Sequence, residues 1–145
     1  MPAILRPIRI LGIADLALVM TAAQTTSCPA VVVSAPEAAG FAGVGWFKAL
    51  IETGHHCFPT VPLTAILDCG DMPGLVLAAW RVGVSDVIFS GDIATRDRLC
   101  QAGAASGGVI HDRFATVLDL AGIIARDSAC RTWLTGITEG SRDGT

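Results

Sequence analysis

Acidic, hydroxyl and imidazole side chains recur just beyond short apolar runs. Ala30–Val33 is followed by Ser34-Ala35-Pro36-Glu37, and Leu63–Leu67 by Asp68-Cys69-Gly70-Asp71. Val87–Phe89 is followed by Ser90-Gly91-Asp92, and Val109–Ile110 by His111-Asp112. Carboxylates that meet at one edge can hold a hard cation such as Mg²⁺. A pair can also divide general acid and base work when their environments split their pKa values. Asp68 carries the strongest case, because it closes the most hydrophobic central run. A carboxylate buried there needs hydrogen bonds or a cation. The catalytic candidates are therefore Asp68, Asp71 and His111, with Ser90, Gly91 and Asp92 placed to contact a small anionic ligand. The cofactor of such a site is unknown from sequence, and no metal-ligand set stands at motif spacing.

Each of these residues also has a structural role open to it. Ser34 and Glu37, with Pro36 between them, form the pattern of a capping box. Asp71 precedes Met72-Pro73 as an N-cap would, and Asp92 and Asp112 also precede helical stretches. The glycine-rich stretch Gly40–Gly45 matches neither the dinucleotide fingerprint nor the triphosphate loop. His55-His56-Cys57 lacks a third ligand at motif spacing. The only lysine, Lys48, falls inside a helical pattern, so a Schiff-base aldolase mechanism is not expected. Cys69, beside two aspartates, is a poor nucleophile unless a cation intervenes, because like charge disfavours its thiolate.

The elements that must position these residues follow a strand-helix rhythm of roughly 20–30 residues per unit, the spacing of βαβ crossovers. Strands are expected at Arg6–Ile10, Ala30–Val33, Leu63–Leu67, Asp86–Phe89 and Gly108–Ile110. Helices are expected at Ala14–Ala23, Phe41–Thr53 with Gly54 as its stop, Met72–Val82, Ala94–Ala102, Arg113–Leu120 and Asp127–Leu134. The strands are nearly continuous apolar runs, which argues for burial on both faces. The expected fold is α/β, a three-layer αβα sandwich with about five mostly parallel strands. If the strands are parallel, every polar cluster named above lies along the carboxyl edge, where open α/β sheets bind ligands. A fragment of a (β/α) barrel has the same rhythm, and eight such units exceed this length. Residues 1–138 are expected to form one α/β domain, with 139–145 as a flexible tail.

Asp68 and Ser90 sit where the chain resembles phosphoacceptor receiver domains, which carry an aspartate at the end of strand three and Ser or Thr at the end of strand four. The chain departs from that family in two respects. Asp15 alone stands near the first strand in place of an acidic pair, and His111 stands where a lysine is wanted.

Composition bears on partners. Of the 145 residues 52% are hydrophobic and 16% charged, against about 25% charged in a typical domain. A small domain must cover a large surface, so a homo-oligomer or a permanent protein partner is expected to hide part of it. Trp46, beside the inward positions Phe47 and Leu50, marks the expected interface. Net charge is −3 and no basic run exists, so nucleic acid is not an expected partner. The stretch Leu16–Val33 is too broken by polar residues to span a membrane. Five cysteines without paired spacing fit reduced thiols and a cytoplasmic location. The first functional expectation is a non-catalytic accessory or assembly protein acting through an apolar helical surface. The alternative is a small-molecule enzyme or binding domain with a carboxylate-lined edge.

Overall fold

The computed structural model describes residues 5–136. The tail expected at 139–145 lies outside the described residues, as does the end of the 1–138 domain range. The elements run β1 (Ile8–Arg9), α1 (Ile13–Thr26), β2 (Ala30–Val33), α2 (Ala38–Phe41), α3 (Val44–Cys57) and β3 (Leu63–Asp68). They continue with α4 (Pro73–Arg81), β4 (Asp86–Ile88), α5 (Ile93–Ser106), β5 (Val109–His111), β6 (Leu118–Asp119) and α6 (Arg126–Thr135).

The strands form one parallel sheet in the order β5-β4-β3-β2-β1-β6. The α/β class and the parallel sheet expected from the sequence are present, with six strands in place of about five. From β1 to β5 each strand lies beside its predecessor, the serial order of a (β/α) barrel wall, and β5 and β6 are the two open edges. Buried side chains of all six helices gather with Ile8, Ala30, Val32, Ala65, Leu67 and Val87 in the main core. The alternate strand positions Val33, Ile66 and Ile88 form a second, smaller cluster, packed by Leu5, Val31, Phe114 and Val117. Burial on both faces is the reason the strands read as unbroken apolar runs.

Local chemistry sets the element ends. Pro73 opens α4, where its missing N–H costs nothing. Asp92 caps α5 by accepting from Thr95 N at 3.2 Å. Two expectations are corrected. Gly54 does not stop a helix; it is buried inside α3, where a Cβ would lie 3.1 Å from Leu16 Cδ2. Its small size lets α3 approach α1. The helix expected over 113–120 is a connector followed by β6, which pairs in parallel with β1. Phe114 and Val117 have helical spacing, yet both are used to cover the sheet face while the chain crosses from one edge strand to the other.

Candidate functional site at the carboxyl end of the sheet

Asp68 ends β3 and is 3% exposed. Its backbone N–H donates to Ser34 Oγ at 2.9 Å, and the Ser34 hydroxyl donates to Ala35 O at 3.0 Å. Ser34 therefore ties the end of β2 to the end of β3. The capping box expected from Ser34 and Glu37 does not form, because that hydroxyl is already committed and Glu37 itself is the N-cap of α2, at φ 60°. Asp68 Oδ1 accepts from Gly70 N at 2.8 Å, across a turn in which Gly70 takes φ +58°. Asp68 Oδ2 lies 3.5 Å from Arg113 Nε. The carboxylate is thus held from two sides, and the half-exposed Arg113 carries the local charge to the surface.

Glu37 lies across Gly70: a Cβ there would be 3.1 Å from Glu37 Cγ. With Asp71, Phe41, Met72 and Leu75 it lines an open groove of about 350 Å³. Asp71 does not cap α4, whose N-cap is Met72 without a side-chain hydrogen bond. Asp71 is instead exposed in that groove. Cys69 faces the core, and burial first, then the Asp68 charge, pushes its thiol up to about 12. It stays neutral at physiological pH and is no nucleophile, as its acidic neighbours suggest.

The remaining candidates are engaged separately. Ser90 N donates to Gly70 O at 2.8 Å, which draws the loops after β3 and β4 together and uses a donor expected to meet an anion. Gly91 has a steric role, since a Cβ there would fall 2.3 Å from Phe89 Cζ. Asp92 is the cap of α5, and hydrogen bonding from Thr95 holds its carboxyl below the usual range. His111 Nε2 sits 2.9 Å from Asp86 Oδ1, and its ring centroid is 5.7 Å from that of Phe114. Asp112 does not cap a helix; it pairs with Arg96 on α5. Among the described residues no hydrogen bond or ion pair joins the side chains of Asp68, Asp71, Ser90 and His111. Nor do three or more His, Cys, Asp or Glu side chains converge as a metal site.

The structure brings Asp68 to Arg113, a partner that sequence reasoning missed. The available signal was position: Arg113 follows His111-Asp112 in the same strand-end cluster. Trp46 stands half-buried in the first turn of α3. With Ile10, Leu11, Ala35, Ala38 and Phe41 it lines an apolar groove of about 350 Å³. Among the described residues no helix is long and apolar enough to cross a membrane.

No protein-family model matches this sequence. No curated protein matches it either. Among solved structures, the chain is similar to one from Coccidioides immitis described as a "putative fructose-1,6-biphosphate aldolase". The TM-score is 0.59 at 17% identity over 73% of this chain, which spans 39% of that structure's length. At that identity the likeness establishes one thing about this chain, its α/β fold.

Proposed function

We propose that the chain is a small-molecule-binding α/β domain whose ligand, a hydroxylated or anionic molecule, is met at the carboxyl end of the sheet by Asp68 and Arg113. The observation that carries this reading is the buried Asp68 carboxylate at the end of a central parallel strand, fixed by Gly70 N–H and facing a half-exposed guanidinium. Such a pair offers acceptors to a hydroxyl and a fork of donors to an oxyanion. Open α/β sheets bind ligands at this edge. The name given to the Coccidioides structure makes a phosphorylated sugar the first ligand class to test. Schiff-base chemistry is no part of the proposal, because Lys48 lies in α3 beside Glu52, at 3.5 Å. The five cysteines are all free, which supports a reducing, cytoplasmic setting.

The test is calorimetric titration of the purified protein with fructose 1,6-bisphosphate and with free fructose. Saturable binding of either that weakens at least tenfold in Asp68→Asn supports the site. Binding that ignores the substitution, or no heat with either sugar at millimolar concentration, counts against it.

A second reading, assembly with another copy of the chain, has its own observation. Leu11, Phe41, Met72 and Ile93 are large exposed apolar side chains, 56–77% exposed, and all stand beyond strand ends at the same edge. The Trp46 groove adjoins Leu11 and Phe41. Phe41 also shares a groove with Met72, and an exposed apolar patch of this kind is a common subunit contact.

A further inference from the structure

We infer that residues 112–117 form a strap that lifts from the sheet while the rest of the fold stays intact, and that its lifting admits ligand to Asp68. The second half rests on the ligand-binding reading of Asp68; the motion itself does not. Strand register fixes what lies beneath the strap. Asp68 is the partner of Ile88, and Ile88 is the partner of His111. Two residues back along each strand, Val33 partners Ile66, and Ile66 partners Asp86. Positions two apart on a strand point to the same face. The face that carries the Val33, Ile66 and Ile88 cluster therefore also carries Asp68, Asp86 and His111.

The strap is held to this face by side chains. Phe114 and Val117 pack on the cluster, and the Phe114 ring meets that of His111. Arg113 pairs with Asp68, and Asp112 with Arg96 on α5. Among the described residues, the main-chain N–H and C=O groups of 112–117 make no backbone hydrogen bond. Asp112, Arg113, Ala115 and Thr116 are exposed. At the far end of the strap, β6 pairs with β1 over two residues. A segment with few buried apolar contacts and no backbone hydrogen bonds opens at a lower free energy than the core beside it.

The two faces of the sheet differ in what opening costs. The opposite face is apolar and lies in the main core with buried helix side chains. Beneath the strap, lifting exposes Val33, Ile66 and Ile88, but it hydrates Asp68, Asp86 and His111 rather than leaving them unpaired. Arg113 is the latch, because in the closed state its guanidinium occupies the Asp68 carboxylate. A ligand that offers hydroxyls to Asp68 and an oxyanion to Arg113 replaces that mutual contact. Such a ligand binds the lifted state better and shifts the population toward it.

The experiment reads the motion without ligand. Ile88→Cys places a thiol beneath the strap, and Val33→Cys is a second reporter in the same cluster. Cys69 and Cys130, buried in the main core, report opening of the whole fold in the same molecule. The full chain is treated with iodoacetamide and each site is followed by peptide mass spectrometry, its rate divided by that of the same site in urea. Both reporters are expected to react at least tenfold faster than Cys69 and Cys130. Arg113→Gln, which removes the latch, is expected to speed the reporters further and to leave Cys130 unchanged. Equal rates at the reporters and at Cys130 overturn the inference, as do reporter rates that Arg113→Gln does not alter. Sugar binding by calorimetry with equal thiol rates removes the strap and keeps the Asp68 site. Fast reporters without sugar binding keep the motion and remove the ligand.

Discussion

At the residue scale, the carboxyl edge is organised by hydrogen bonds to a few committed groups. Ser34 accepts the Asp68 N–H in a buried setting. Ser34→Ala leaves that donor without a partner, and the expected cost is about 1–3 kcal/mol, read as a lower urea midpoint. The cysteines allow a pH prediction that few proteins permit, because this chain has no tyrosine and one lysine. Cys69 is raised to about 12 by burial and by Asp68, and Cys130 is raised by burial and by Asp127 and Asp15. An unfolded thiol releases its proton near its ordinary value, whereas the folded Cys69 keeps it. Stability from this source is therefore complete below about pH 8.5 and falls as pH rises toward 12. Denaturant midpoints measured at pH 8 and pH 10.5 are expected to show the fall. Cys69→Ala is expected to reduce it, and an unchanged slope would refute the assignment.

At the element scale, glycines record where two elements meet too closely for a side chain. Gly91 packs on the ring of Phe89, which is 2% exposed and has nowhere to move. Gly91→Ala is expected to destabilise the fold by about 1–3 kcal/mol, the usual cost of overpacking, measurable by thermal unfolding. Elements whose ends are written in local chemistry were legible. β2 occupies the expected Ala30–Val33, and α4 begins at Pro73 with Gly83, at φ +93°, just beyond its end. The segment 113–120 was not legible, because Phe114 and Val117 have a helical interval but answer to Val33, Ile66 and Ile88 across the chain. Gly54 misled for the same reason: its role depends on Leu16, thirty-eight residues away.

At the scale of the whole molecule, the serial strand order collects the loops after β1 to β4 along one edge, and the exposed Leu11, Phe41, Met72 and Ile93 collect with them. The assembly reading is settled here by mass. Phe41 is 72% exposed, so Phe41→Asp is expected to leave the fold intact. If the edge joins two copies, Phe41→Asp and Trp46→Asp lower the mass in solution by light scattering. An unchanged mass in both removes the interface and leaves the edge open to ligand.

The α/β class, the parallel strands and the clustering of polar residues at one edge follow from the sequence itself. Apolar runs of strand length alternate with helical stretches, and parallel strands all end on the same side. Which of those strand-end residues meet was decided only by the tertiary structure. Strand order and the path of the 112–117 connector brought Arg113 to Asp68, gave His111 to Asp86, and set Arg9 beside Asp119. Those pairings join residues 25 to 110 positions apart, a separation over which neither periodicity nor local capping chemistry carries information.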